Sequence, residues 1–92
     1  MLFMVIESFR QGDAAPVGER FRRRGRMIPA GVTYHASWVD VAGQRCFQIM
    51  EAADEAALRE WMANWRDLVE FEVIPVMTSA QFWSKTELGG AA

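Results

Sequence analysis

The hydrophobic positions of the chain change their spacing from one segment to the next, and these changes separate strands from helices. The first segment, Leu2–Phe9, is a short apolar run rich in residues that favour strands. The segment Glu55–Arg66 instead repeats its large apolar residues every three or four positions, at Leu58, Trp61, Met62 and Trp65. Further on, the stretch VEFEV alternates at period two, which is typical of a half-buried strand. The pattern therefore predicts an α+β protein.

In chain order the predicted elements run β-α-β-β-α-β. The strands are Leu2–Phe9, Val32–Asp40, Arg45–Glu51 and Val69–Met77; one helix runs from a cap at Asp13 to about Arg26, the second from Glu55 to about Arg66, and a short last helix is capped by Ser79. This order is the ferredoxin-like pattern, in which right-handed crossovers put both main helices on one face of a four-stranded antiparallel sheet. We predict a single domain over residues 1–79, followed by a short helix and a frayed tail over residues 80–92.

The first strand predicts that the second face of the sheet is also covered. Phe3 and Val5 point to one side and Met4 and Ile6 to the other, so the strand is apolar on both faces. The chain has 92 residues, of which 51% are hydrophobic, a large apolar content for the modest core of a small domain. We therefore predict a homodimer that joins two sheets face to face, a dimeric α+β barrel. A tightly packed monomer is the alternative.

Charge and cysteine content exclude several classes of protein. The stretch ERFRRRGRM holds five arginines, but the net charge is −2, which is unlike a nucleic-acid-binding domain. The N-terminal apolar run is too short to cross a bilayer and carries no basic leader, so we predict no membrane segment. Cys46 is the single cysteine, which permits no intrachain disulfide and fits a reducing cytoplasm.

The arginines of the first helix fall on several sides of it. The main interpretation is a solvated helix surface whose arginines pair with nearby acids. The functional alternative is that Arg24, together with Arg20, reaches the rim of a pocket and holds a carboxylate or phosphate.

A polar row on the second strand is the most site-like pattern in the sequence. His35 alternates with Ser37, and a turn that pairs Asp40 with Arg45 would place Ser37 opposite Gln48 and His35 opposite Met50. Buried polar groups need hydrogen-bond partners or a ligand. His35 is thus the candidate general base, and the alternative is a hydrogen-bonded histidine at an edge or interface.

The neighbours of His35 complete the predicted ligand site. His35, Tyr34, Trp38 and Arg24 are the predicted ligand-binding residues, around a pocket between the sheet and the helices. One histidine without a nearby cysteine or second histidine predicts no metal site, and isolated glycines make no phosphate loop, so we predict no cofactor. Glu70 and Glu72 share one strand face, where they keep an edge polar, meet partner arginines or do acid–base work.

Long stretches of the chain resemble a family of small bacterial proteins known as a domain of unknown function. They are MLFMVIESF, ERFRRRGRMIPAGVTYHASWVD, QRCFQIME, EWMANW and DLVEFEVIPVMTS, within residues 1–79. The resemblance implies a dimeric α+β barrel but no established activity. The wider barrel group includes cofactor-free monooxygenases, isomerases, haem-degrading enzymes and ligand-sensing regulators, and fold alone does not choose among them. Two classes of function stay open: a small-molecule binding protein or cofactor-free enzyme, and a non-catalytic dimeric structural or interaction module.

Overall fold

The computed structural model of the chain describes residues 1–85. Its elements are β1 (Leu2–Phe9), α1 (Ala15–Arg24), β2 (Val32–Val39), β3 (Arg45–Ala52), α2 (Glu55–Met62), β4 (Val69–Val76) and α3 (Ser79–Ser84), with a 3-10 turn at Arg10–Gly12 after β1. The strands form one sheet in the order β2-β3-β1-β4, and each neighbouring pair is antiparallel. This is an α+β fold of the ferredoxin-like type, which confirms the predicted fold class.

The helix ends show where local capping differs from the prediction. Asp54 caps α2 by accepting a hydrogen bond from the Ala57 amide at 3.0 Å. The predicted cap at Ser79 is wrong, because Thr78 caps α3 in a capping box that it forms with Gln81. Asp13 accepts a hydrogen bond from the Ala15 amide, although Ala14 occupies the cap position itself. The tail that the sequence predicts to fray, ELGGAA at 87–92, lies outside the described residues.

One face of the sheet carries the hydrophobic core. Phe3 and Val5 of β1 are fully buried there against Leu58 and Trp61 of α2. Val17 of α1 is only partly buried against the same core. We call this the helix-covered face. None of the helices among residues 1–85 is long and apolar enough to cross a membrane.

The opposite face, which we call the open face, is apolar along the middle of the sheet and only partly buried. In β1 the alternate residues Leu2, Met4 and Ile6 are less buried than their neighbours on the helix-covered face. Ile74 of β4 and Trp38 of β2 are exposed, Trp38 to 59%. The apolar character of both faces of β1, which the sequence indicates, is thus present, with α1 and α2 on one face alone.

A β-bulge in β2 changes which side chains share a face. Ser37 pairs with Gln48, as predicted, but the register shifts between Tyr34 and Ala36. Tyr34 therefore pairs with Met50, and the predicted pairing of His35 with Met50 is wrong. Because the bulge inserts one extra residue, Tyr34 and Ser37 lie on the same face, and the Tyr34 and Ser37 hydroxyls lie 2.7 Å apart.

Candidate functional site

A buried carboxyl and a buried amide meet in the middle of the helix-covered face. Glu7 of β1 is 6% exposed and Gln48 of β3 is 5% exposed, and they are the buried polar residues among residues 1–85. The Gln48 side-chain N–H donates to Glu7 Oε2 at 2.6 Å. Burial raises the pKa of Glu7 to about 7, although the Gln48 hydrogen bond and the positive charge of Arg26 act in the opposite direction. Near neutral pH, Glu7 is therefore poised between its protonated and ionised forms.

Arg26 approaches this carboxyl from the loop between α1 and β2. The loop turns sharply, because Gly25 and Met27 on either side of Arg26 both have positive φ, 67° and 56°. The left-handed region is unfavourable for a methionine, so the surrounding contacts must hold it there. Two such contacts act on the Arg26 carbonyl, which accepts hydrogen bonds from Trp61 Nε1 at 3.0 Å and Trp65 Nε1 at 3.1 Å.

The Arg26 side chain lies across aromatic rings. Its guanidinium carbon is 3.8 Å from the centre of the Tyr34 ring and 5.0 Å from that of Phe21. These are cation–π distances, and they hold the positive charge over the helix-covered face. Tyr34 is in turn fixed through its contact with Ser37. Loop, helix and strand thus position one cation near the Glu7 carboxyl.

A small cavity lies between these groups. Its volume is about 110 Å³, and it is lined by Glu7, Val17, Phe21, Arg26, Ser37, Cys46, Gln48, Trp61 and Trp65. Typical ligand pockets begin at about 300 Å³, so this cavity has room for a molecule of only a few non-hydrogen atoms. Its polar groups cluster around Glu7, and its remaining walls are aromatic or aliphatic. Phe21, which is 43% exposed, borders it on the solvent side.

A larger hollow lies on the open face. Its volume is about 610 Å³, and it is lined by Met1, Leu2, His35, Glu51, Val76, Met77, Gln81, Ser84 and Lys85. His35 Nε2 lies 2.8 Å from Glu51 Oε1 in this hollow, and both side chains are about half exposed. The His35 and Glu51 side chains of this hollow remain in contact with water. They differ in this from the Glu7 carboxyl of the smaller cavity, which is buried.

The predicted site residues do not converge. Tyr34 does not line the cavity itself, but it contacts Arg26 and Ser37, which do. His35 lies on the open face beside Glu51, and Trp38 is exposed. Arg24 is exposed at the end of α1 and does not line the cavity. Of the four, the structure therefore brings only Tyr34 to the helix-covered face.

Glu7 and Arg26 were not predicted from the sequence. A signal for Glu7 existed, because it occupies a core position in the alternating series Phe3, Val5, Glu7 and Phe9. Arg26 had no comparable signal, since it is one of five arginines in a short stretch and only the loop conformation separates it from the others.

Two other arginines of α1 form ion pairs on the surface, and the single cysteine is buried. Arg20 holds Asp67 through two short contacts, 2.8 and 2.7 Å, and this pairing keeps the pKa of Asp67 below its ordinary value. Arg23 pairs with Glu19 one helical turn away. Burial raises the pKa of the Cys46 thiol to about 11, so it is a poor nucleophile. Within residues 1–85, no three His, Cys, Asp or Glu side chains come together to hold a metal ion.

The fold and the cavity together define a class of protein. A four-stranded antiparallel sheet that is covered on one face by α1 and α2 is a ferredoxin-like α+β domain, and here a small, mostly apolar cavity with a few polar groups lies beneath the helices. More particularly, the chain belongs to the family described as a domain of unknown function (DUF3303), whose model matches residues 1–87. This confirms the family resemblance. No curated protein matches the chain, and no solved structure does.

Proposed function

We propose that the protein binds a small organic molecule in the cavity between the sheet and the helices. The observation that supports this most is the buried Glu7 carboxyl beside that cavity. Burying an ionisable group is costly in a small domain, and an apolar residue at this core position would avoid the cost. A carboxyl retained there, with its pKa near neutrality, is a candidate for binding or proton transfer.

The same carboxyl also suits the chemistry of a cofactor-free enzyme. A general base works best when its pKa lies near the working pH, and Glu7 at about 7 meets that condition. Gln48 fixes one of its oxygens through the 2.6 Å hydrogen bond. In this proposal Glu7 accepts or returns a proton on the ligand, and Arg26 stabilises negative charge that develops beside it.

The test is ligand binding followed at the cavity walls. Trp61 and Trp65 line the cavity, so the nuclear magnetic resonance signals of their indole N–H groups report on its contents. We expect a fragment panel of small acids, amides, ketones and alcohols to include compounds that shift both signals. The Glu7→Gln variant should change their affinity, and Glu60→Gln, which alters an exposed glutamate of α2, should not. A panel that leaves both indole signals unmoved removes the proposal.

The open face favours a second function, self-association. We propose that two copies form a homodimer by packing their open faces together, as in a dimeric α+β barrel. The support is the apolar surface of that face, which includes the exposed side chains of Ile74 and Trp38. In the non-catalytic alternative, the protein is a dimeric module, and self-association through this surface is its function. We also propose a cytoplasmic location, because the single Cys46 carries a free thiol.

Sedimentation equilibrium tests the dimer. We expect wild-type protein to sediment as a dimer and Ile74→Asp to sediment as a folded monomer. Val41→Asp is the matched control, because Val41 is apolar and fully exposed but lies in the turn after β2. A wild-type chain that stays monomeric at high micromolar concentration contradicts the proposal.

A further inference from the structure

We infer that the ligand of the cavity is a short-chain organic anion, held by the Arg26 guanidinium and bound together with a proton on Glu7. This inference rests on the proposed binding function and names the class of ligand for it. It comes from two features of the cavity: an arginine that forms no direct ion pair within residues 1–85, and a nearby carboxyl that would repel an anion unless the carboxyl is protonated.

The first feature is the state of Arg26. The arginines that form ion pairs among residues 1–85 are Arg10, Arg20, Arg23, Arg45 and Arg59, and Arg26 is not one of them. Its contacts in the described chain are through its carbonyl, which binds two indoles, and through the faces of two aromatic rings. A guanidinium stacked by its face keeps its N–H groups directed along its edges. Those edges suit a carboxylate, which accepts two parallel hydrogen bonds from one arginine.

The second feature is the set of groups that face Glu7. Arg26 approaches it from the loop after α1, and Cys46 and Gln48 lie beside it on β3. The other residues that line the cavity are Val17 and Phe21 of α1, Ser37 of β2, Trp61 of α2 and Trp65 after it. Tyr34 contacts Arg26, and Phe71 is the β4 partner of Glu7. The titratable groups in this set are Arg26, Cys46 and Tyr34.

Among those groups, Arg26 supplies the positive charge near neutral pH. The thiol of Cys46 stays protonated, since burial raises its pKa to about 11. The cavity is therefore positive when Glu7 is protonated and neutral overall when Glu7 is ionised. An anion adds favourably to the first form, and the protonated carboxyl can donate a hydrogen bond to it. Binding should accordingly take up a proton above the pKa of Glu7.

The size and walls of the cavity limit the chain length of the acid. With about 110 Å³ available, a carboxylate with a tail of one or two carbons fits better than an aromatic acid. The tail would meet the apolar surfaces of Trp61, Trp65 and Val17, which line the cavity. Propionate is therefore the first probe, and propionamide is its neutral match in shape.

The experiment titrates both probes into the full chain at pH 6, 7, 8 and 9 and follows the indole N–H signals of Trp61 and Trp65. We expect propionate to bind at least about tenfold more tightly than propionamide at pH 6. Above pH 7, its dissociation constant should rise about tenfold for each pH unit, because one proton is bound with each anion.

Three variants locate the two charges. Arg26→Met should abolish propionate binding, whereas Arg22→Met, which removes an exposed arginine of α1, should leave it unchanged. Glu7→Gln should keep binding but remove the dependence on pH, because glutamine is a neutral hydrogen-bond donor at every pH in the series. The wild-type comparison of acid with amide needs no variant, so it stands even where a substitution impairs folding.

The outcomes separate the inference from the proposed function beneath it. If propionamide and other neutral fragments bind in the cavity and propionate does not, the anion inference is overturned while the binding function remains. Propionate binding that is independent of pH, or unchanged in Arg26→Met, also overturns the inference. If no fragment of either charge moves the indole signals, both proposals fail together.

Discussion

Replacing Glu7 by glutamine should make the protein more stable above neutral pH. Glutamine preserves the shape of the side chain, and its carbonyl oxygen can still accept the hydrogen bond from Gln48. What the substitution removes is the ionisation of a group that is 6% exposed. The free energy of unfolding then no longer includes the cost of charging a buried carboxyl.

The size of the effect follows from the two pKa values. Glu7 has a pKa of about 7 in the folded chain against an ordinary value of 4.5. Each pKa unit corresponds to 1.36 kcal/mol, so the difference is worth roughly 3 kcal/mol. Because the folded state holds the proton more tightly, the contribution is complete below about pH 4.5 and is lost as pH rises through about 7. The difference in unfolding free energy between Glu7→Gln and wild type should therefore be larger above that pH than at low pH, by up to this amount.

Urea denaturation followed by tryptophan fluorescence, at pH 5, 6, 7 and 8, measures the effect. The informative quantity is the difference in unfolding free energy between Glu7→Gln and wild type at each pH, since contributions from other groups cancel in it. Glu60→Gln is the control, and its difference from wild type should stay nearly constant across the series. Parallel pH profiles for Glu7→Gln and wild type would refute the assignment of Glu7 as a buried group that titrates near neutrality.

Three further predictions concern the surroundings of the cavity and a turn. Trp61→Phe and Trp65→Phe should each destabilise the chain by about 1–3 kcal/mol in urea unfolding. The double variant should cost more than the sum of the two, because the Arg26 carbonyl then loses both donors. Strict additivity would argue against a shared acceptor. Cys46 should react with a maleimide far more slowly than a free thiol at pH 8 and accelerate on unfolding, and fast labelling of the native chain would contradict its burial. Gly43→Ala should cost about 1–2 kcal/mol in thermal unfolding, because Gly43 has φ of 73° in the turn before β3, and an unchanged melting temperature would count against that turn.

The order of elements could be predicted from the sequence because hydrophobic spacing records which side of each element is buried. Strand β1 was predicted with both ends correct, and Ser37 was correctly paired with Gln48. For the part of β2 that precedes Ser37 the predicted pairing is wrong. The bulge inserts one residue, which reverses the sheet face that each earlier residue of the strand points to. No residue type near His35 indicates a bulge, so strict alternation predicts that His35 shares a sheet face with Ser37. In the structure His35 lies on the opposite face, beside Glu51.

The candidate site was harder to predict because its two charges come from unlike contexts. Glu7 interrupts an apolar series, which is a visible signal of a buried carboxyl. Arg26 depends on the positive φ of Met27 and on two indoles more than thirty residues away, and neither can be derived from local spacing. Long-range contacts that fix a loop therefore set the limit of what hydrophobic patterning predicts.

The way Arg26 is fixed has a consequence for protein engineering. The tryptophans bind its main-chain carbonyl, an atom that every amino acid possesses, so the loop is anchored independently of the side chain at position 26. Under the binding function proposed above, substitutions there should change which ligands are selected while leaving this anchor in place. A glutamate at this position would favour small cations, and a leucine would favour neutral molecules. Position 26 is thus a single adjustable point from which one backbone could yield receptors of different charge preference.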